Sequence, residues 1–510
     1  MSGFFRKILI ISFCTAVILA AGLANARTRT YTTDVVVIGV GGSGVSAAVS
    51  AAENGAKVIA IEKQDIPGGS SNFAEGLFAV DTEEQRKEFI DLTAEEAFKK
   101  SMEVNQSYRV NPSMVRMYLK ESTSTISWLK GHGVGFEVFR MSAEEPKVWH
   151  LVQDYKQAHH GAALITRMVE EAEKLGVKIM YGTPGTKLIY DNGVVKGVEA
   201  VDARGNKIVI NSKAVIIATG GFPDSKEFIE KYTPYDPEKV APFVPLGKTG
   251  DGINMAMEAG ADTEGFGLMV HPGIKDNGIP PIGNLVAMSW EPLLWVNKYG
   301  KRFTDETVVH NFSWAGNAIE AQRDSYIWSV FDENEIKYVE TKGTRTGVGV
   351  LMPVRSRLAG LRKEIKDAIE SGSTKVVKAS SIEELAKKID VPVANLSKAV
   401  KDYNRIAEYN IDPEFARDAD TVHPIVAPNY YAIKVQPYFF VSLGGVRTNT
   451  KLEVTDKQDE VIKGLYAAGC DVGGVYGSTY TLWASGSAYS FAATSGRLSG
   501  KNAAEYVKSN

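Results

Sequence analysis

Apolar and polar positions fall into blocks along this chain. Asp34-Val35-Val36-Val37-Ile38 is a continuous apolar run, the pattern of a parallel strand covered on both faces. It leads into Gly39-Val40-Gly41-Gly42-Ser43-Gly44, then into the small-residue stretch from Val45 to Ala52, which predicts a helix. A second apolar run, Val58 to Ile61, ends in Glu62. Strand signals ending in glycine turns recur at Ala214 to Gly221 and at Gly464 to Asp471, and Thr249-Gly250-Asp251-Gly252 precedes another small-residue helix. After Gly252 the pattern changes. Pro/Gly-rich stretches such as Gly278 to Gly283 appear, followed by charged helices predicted at Leu358–Ser371, Ser381–Lys388 and Val393–Asn404. Ser381 with Glu384 makes a capping box for the second of these, and Asn111-Pro112 predicts another helix start.

The N-terminus bears on the compartment. Arg6 and Lys7 precede an apolar run from Ile8 to Leu23, and Ala24-Asn25-Ala26 gives a small-x-small site before Arg27. These are the parts of a secretory signal peptide over residues 1–26. The alternative, an uncleaved anchor, needs about 20 apolar residues to span a bilayer, and this run is shorter. The expected product is an exported protein, periplasmic or otherwise, with no stable membrane span.

The first glycine run carries the most specific chemistry. A lone G-x-G-x-x-G is weak evidence, but this one lies between a strand and a helix, with an acid ending the next strand. Gly39 allows the tight turn, Gly41 lets backbone approach a pyrophosphate, and Gly44 brings helix and strand together. The helix start then faces phosphate with its positive dipole end, and Glu62 accepts from ribose hydroxyls. Nicotinamide cofactors are diffusible, whereas a flavin is held permanently by an exported protein. The compartment therefore selects FAD.

Composition removes other classes. The 510 residues exceed one ordinary core, so two or more packed units are expected. With 58 basic and 61 acidic residues the chain lacks the basic excess of a nucleic-acid binder. Cys14 and Cys470 are the only cysteines, which excludes a disulfide framework, an iron–sulfur cluster and a Cys-x-x-Cys-His haem attachment. Loss of the leader takes Cys14 with it. No metal site is expected, because His159-His160 has no third ligand at useful spacing.

At these glycine motifs the chain resembles the FAD-dependent fumarate reductase and succinate dehydrogenase flavoprotein superfamily, in its soluble exported branch of flavocytochrome and urocanate reductase type. The resemblance runs from about Tyr31 to Asn510. It implies an α/β fold: a Rossmann-like FAD-binding domain built from residues 27–264 and 437–510, with an α+β capping domain, residues 265–436, inserted between them. FAD is expected to be noncovalent. By position, Gly39, Gly41, Gly42, Gly44 and Glu62 match the dinucleotide motif and Ser70 and Ser71 the polar pair near the isoalloxazine, and Gly76 is expected among the cofactor-binding residues. Asp251 matches the Thr-Gly-Asp-Gly aspartate, Asp471 stands near the ribityl chain, and Ala488 and Tyr489 face the flavin pyrimidine.

The expected active site departs from that family. Its acidic Arg is replaced by His310, in Gly300-Lys301-Arg302-Phe303-Thr304-Asp305-Glu306-Thr307-Val308-Val309-His310. Its two substrate clamps fall on Val441 and on the Tyr480-to-Gly486 stretch, and its relay Glu and Arg fall near Val286 and Ser289. Only the His-Pro element survives, as His271-Pro272. A buried dicarboxylate needs cationic partners, so fumarate is a poor candidate. Tyr476, Tyr480 and Trp483 suit an aromatic or bulky substrate with at most one carboxylate.

The resulting expectation is hydride transfer from flavin N5 to the β-carbon of an α,β-unsaturated acid or ketone, with His310 or Tyr480 protonating the α-carbon. His271 and the backbone at Gly486 are expected to polarise the carbonyl. With no second redox centre in the chain, a separate electron-donor protein, cytochrome or flavoprotein, is expected to dock. Two other readings stay open: a dehydrogenase of the ketosteroid type, and a noncatalytic flavin electron carrier.

Overall fold

The computed structural model describes residues 27–510 apart from 106, 142–144, 348, 351 and 481. The leader read at residues 1–26 lies outside the described residues. Two large sheets and a small three-stranded one organise the chain.

The larger sheet is centred on Val35–Ile38, fully buried along its length. Parallel neighbours flank it: Ala214–Ile217 on one side, and Val58–Ile61 followed by Lys178–Met180 on the other. Val461–Ala467 pairs in parallel with Ala214–Ile217, so a strand from the C-terminal part of the chain completes the sheet begun at the N-terminal part. These runs read as uninterrupted apolar blocks because helices cover both faces.

Helix Gly42–Glu53 packs along helix Ser487–Ser509 at backbone distance. A Cβ added at Gly496 would lie 2.2 Å from Ser43 O, and one at Gly500 2.3 Å from Ala47 O. That close approach is the physical reason both helices are built from Gly, Ala and Ser. Its consequence is positional: both helix starts, Gly42 and Ser487, open at the same edge of the sheet.

The second sheet is built around one long strand, Tyr430–Val446. Thr263–Gly273, Ile327–Asp332 and Val376–Ala379 pair with it antiparallel, and Leu294–Val296 extends it beyond Ile327–Asp332. The borders expected at residues 264/265 and 436/437 therefore fall inside continuous strands. Around this sheet lie helices Leu361–Glu370, Ile382–Lys388 and Val393–Tyr409, each within or extending its predicted span. Ser381 caps the second by accepting from Glu384 N at 3.1 Å, but the Glu384 carboxylate reaches back to Ser380 N rather than to Ser381. Helix Pro112–Gly131 starts where expected, with Asn111 Oδ1 accepting from Ser113 N and Met114 N. Among the described residues no helix is long and apolar enough to cross a membrane.

Candidate active site

The glycine turn forms one wall of a cleft at the C-terminal edge of the large sheet, the edge where open α/β sheets bind ligands. Gly39 has φ +101°, and a Cβ there would lie 2.2 Å from Ala218 O. A Cβ at Gly44 would lie 1.9 Å from Gly39 O, so the helix cannot begin without glycine at both positions. Gly41 differs: its Cβ would meet nothing closer than Gly68 O at 3.6 Å, and a Cβ at Gly69 would meet nothing within 4 Å. Side chains there would occupy cleft space, which is what a cradle for a bound dinucleotide requires.

Polar groups hold this wall in shape. Glu62 accepts from Val40 N at 2.8 Å and from Gln64 N at 2.9 Å. Ser71 Oγ accepts from Gly42 N at 3.1 Å, and Asp251, at a helix start on the cleft, pairs with Lys63 at 2.7 Å. Asp471 is fully buried and accepts from the backbone of Thr219, Gly220 and Gly221 and from the Thr219 hydroxyl. Its carboxylate is thus spent on the turn after Ala214–Ile217, while its neighbour Cys470 lines the cleft. Burial pushes the Cys470 thiol up to about 11, which leaves it an inert small hydrophobe. Gly76 lies in a strand against His150 O, where a Cβ would be 2.4 Å away.

Sequence reasoning missed one cation. Lys248 lines the cleft, is 8% exposed, and donates to Ser70 Oγ at 2.5 Å and to Phe440 O at 3.4 Å. Burial lowers its pKa. The available signal was its position, directly before Thr249-Gly250-Asp251-Gly252.

On the second sheet's side the site is aromatic. His271 is 2% exposed and stacks on Phe440 with ring centroids 4.4 Å apart. Phe243, Trp290 and Phe312 also contact it, at 5.7, 5.7 and 6.5 Å. Phe312 in turn stacks on Tyr480, and Tyr476 lies 5.4 Å from Tyr480. The Tyr480 hydroxyl accepts from Ala488 N at 3.2 Å, and Tyr476 donates to Ser487 Oγ at 3.4 Å. Both tyrosines therefore reach the start of helix Ser487–Ser509, which Gly486 caps in the left-handed conformation. Tyr489 turns the other way, its ring against Gly42 and its hydroxyl on Gly161 O at 3.1 Å. Trp483 is set apart from the two tyrosines. It packs edge-on against Phe78 at 5.6 Å, with Lys100 over its ring at 5.0 Å.

His271 calls for a correction of role. Its Nδ1 lies 2.8 Å from Pro272 O, and a carbonyl only accepts, so Nδ1 carries the proton. Burial holds the ring to a pKa of about 4, so it is neutral. Nε2 then presents a lone pair and has no proton with which to polarise a carbonyl.

His310 ends the short helical turn Glu306–His310 and leads through Asn311 into helix Phe312–Glu320. Its Nδ1 lies 3.2 Å from Thr346 Oγ1. The charges beside it are committed. Glu306 bonds Arg302 and Arg417, both at 2.9 Å, and Arg302 also reaches Asp412 at 3.0 Å. Arg345 lies between Glu291, 3.1 Å away, and Glu335, 2.5 Å away. Glu291 sits two residues past Ser289, and burial raises its pKa to about 7.

The sheet, its glycine turn and its cleft define a dinucleotide-binding protein, and its family and relatives make it an FAD-dependent oxidoreductase acting on C=C groups. The chain belongs to the FAD binding domain family, whose model matches residues 34–486. It is 35% identical over 483 residues to a vinyl phenol reductase of Lactiplantibacillus plantarum, covering 93% of this chain and 97% of that one. It is 30% identical over 496 residues to a fumarate reductase (cytochrome) of Shewanella frigidimarina, covering 96% and 80% respectively. Among solved structures, the open conformation of a flavocytochrome c3 fumarate reductase superposes with a TM-score of 0.72 at 27% identity, covering 97% of this chain and 81% of that one.

Proposed function

We propose that this enzyme reduces the C=C bond of an α,β-unsaturated acid or carbonyl compound that is aromatic or bulky and carries at most one carboxylate. The observation that carries this is the pairing of the buried arginines, while the buried Lys248, without an ion pair among the described residues, faces the cofactor cleft. Arg302, Arg417 and Arg345, on the side of the second sheet, are each neutralised by buried carboxylates. A dicarboxylate placed there finds rings in place of positive charge, and its desolvation goes uncompensated. Vinyl phenol reductase as a relative supports the aromatic reading.

Residues that would hold FAD are the backbone of Gly39–Gly44, Glu62, Ser70, Ser71, Lys248, Asp251 and the start of helix Ser487–Ser509. The flavin, when bound, supplies the hydride. The chain supplies the proton and the dry surroundings. Burial raises the pKa of Tyr480, so it keeps its hydroxyl proton; its oxygen accepts from Ala488 N, which holds the hydroxyl at the start of helix Ser487–Ser509. His310 is the other candidate donor, its ring steadied by Thr346. Rings from Phe312, Tyr476 and Tyr480 exclude water from the space between the sheets.

The same reading places the mature protein outside the cytoplasm, in the periplasm of a cell with two membranes, where a separate cytochrome or flavoprotein supplies electrons. Rapid mixing of reduced enzyme with cinnamate-type acids, vinyl arenes, enones and fumarate tests the reaction. Fast flavin reoxidation by aryl-substituted alkenes with slow reoxidation by fumarate is the expected result. Preference for fumarate, or no response to any of them, would overturn it.

A further inference from the structure

Helix Phe312–Glu320 is tied to chain segments from outside the second sheet. Its seat on that sheet is set by Gly316, where an added Cβ would lie 2.5 Å from His271 N. So close an approach leaves the helix no room to ride up from strand Thr263–Gly273. Ser313 and Asn317 are four residues apart and so share one face of the helix. Both reach Thr479. Ser313 Oγ lies 2.6 Å from Thr479 Oγ1, and Asn317 Nδ2 donates to the same oxygen at 3.0 Å.

The Asn317 amide has one possible orientation. Its nitrogen also donates to Ser313 O at 2.8 Å, and its oxygen accepts from the Tyr235 hydroxyl at 2.8 Å. Ser313 O can only accept, so turning the amide over would set two oxygens against each other. Tyr235 precedes every strand of the second sheet and Thr479 follows them all. One side chain of the inserted part therefore grips the flanking parts at two points.

The consequence falls on the residue after Thr479. The Tyr480 ring stacks on Phe312 at 6.1 Å and 21°, and its hydroxyl accepts from Ala488 N. A stacked ring slides at little cost, and a single hydrogen bond tolerates rotation about it. A tie on the adjoining residue removes both freedoms. Phe312 lies on the same helix as Ser313 and Asn317, so the surface that stacks on the ring and the groups that tie its backbone move as one body.

We infer that Thr479, held by Asn317 and Ser313, is a positioning residue that aims the Tyr480 hydroxyl at the substrate carbon. This rests on the reductase reading with Tyr480 as donor, and adds the residues that place it. In the step concerned the Tyr480 O–H bond breaks as a C–H bond forms at the α-carbon, whose electron pair takes the proton. Ala488 N–H holds the phenolate left behind until water returns a proton to it.

Thr479→Val keeps the side-chain shape without the oxygen, and Thr479→Ser keeps the oxygen. A 3-fluorotyrosine at position 480 of the holoenzyme reports the ring's surroundings without any substrate. Its fluorine resonance is expected to shift or split in Thr479→Val and to return in Thr479→Ser. Reduced holoenzyme is also mixed with cinnamate, styrene and benzylideneacetone. In Thr479→Val the saturating rate of flavin reoxidation should fall about tenfold or more, the cost of a misplaced reacting group, while half-saturation changes less than about threefold. The solvent deuterium isotope effect should rise, and Thr479→Ser should recover most of the rate. In the Tyr480→Phe background the valine substitution should add nothing further, because both act on one proton. Asn317→Ala, which leaves Thr479 to Ser313 alone, should repeat the pattern at smaller size if Thr479→Val folds poorly. An unmoved fluorine resonance, an equal rate loss in the Tyr480→Phe background, or turnover indifferent to Tyr480→Phe would overturn the inference. A shifted resonance in an enzyme that no alkene reoxidises would sink the reductase reading and leave the tie on Tyr480 standing.

Discussion

The Lys248 ammonium lies 2.5 Å from Ser70 Oγ inside the cofactor cleft, and no carboxylate of the described residues comes within ion-pair distance of it. Asp224, Asp471 and the Cys470 thiol are the titratable groups that act on it. Of these, Asp471 is already satisfied by the turn at Thr219, and Asp224 accepts from the Lys248 backbone N–H. The cation is left facing the cleft. Lys248→Met should therefore disfavour the electron-rich reduced flavin. A fall in midpoint potential of about 30 mV or more, tenfold in relative binding for a two-electron couple, is expected by spectroelectrochemistry. An unchanged potential would reduce Lys248 to a packing residue.

The glycine turn separates folding from binding. Gly44→Ala places a methyl 1.9 Å from Gly39 O and has no room to relax, so loss of at least about 1–3 kcal/mol and poor folding are expected. Gly41→Ala adds a methyl to open cleft. That variant should fold with near-normal thermal stability of the apoprotein but weaker FAD affinity, measured by flavin retention on dialysis. Equal effects of the two substitutions would contradict this division.

Glu306 is fully buried between Arg302 and Arg417. Glu306→Gln leaves Arg302 with Asp412 but strips Arg417 of its only ion pair among the described residues. Breaking a buried pair in this way costs about 3–5 kcal/mol, to be seen as a shift in denaturant midpoint. A variant as stable as wild type would mean that the Arg417 bonds to Pro292 O and Thr421 O suffice.

His310→Phe should lower turnover about a hundredfold or more while FAD stays bound, if His310 and not Tyr480 provides the proton. Tyr480→Phe makes the reciprocal test. Whichever substitution leaves turnover intact removes that residue from the role.

Stability should fall on acidification. Burial holds His150, His271 and His423 to about 4, below the ordinary histidine value of 6.5. Between pH 6.5 and 4 the unfolded chain takes up protons that the folded chain refuses, so stability present above 6.5 is lost as pH drops through this window. Glu291, raised to about 7 by burial, works in the opposite sense, because the folded state holds its proton below 7 and the unfolded state only below about 4.5. Glu264, Glu320 and Asp471 are raised by burial as well and act with Glu291. The carboxylates held low by their partners despite burial, such as Glu121, Glu333 and Asp412, lose stability on acidification together with the histidines, and these losses outnumber the gains. A melting temperature at pH 4.5 equal to or above that at pH 7 would show the histidines to be better solvated than their burial implies.

What was legible in the sequence was local and repetitive. The strand at Val35–Ile38, the turn at Gly39–Gly44, the acid at Glu62 and the caps at Asn111 and Ser381 depend on neighbours within a few tens of residues, and each leaves a pattern of its own. The small residues of helix Gly42–Glu53 could be read as helix-competent, but not as the imprint of helix Ser487–Ser509, more than 400 positions away.

The sequence by itself determined the cofactor chemistry of this protein and the class of sheet that holds it, because a dinucleotide turn is specified by steric limits on a handful of consecutive backbones. Only the tertiary structure decided which side chains are already spent. Asp471, the buried arginines and His271 Nδ1 are committed to partners far away in sequence or on the backbone, whereas Lys248 and His271 Nε2 keep unmatched polarity. Hydrogen-bond satisfaction is a property of the packed neighbourhood. It is assembled from segments as distant as Ser70 and Lys248, or Phe312 and Tyr480, and no spacing along the chain records it.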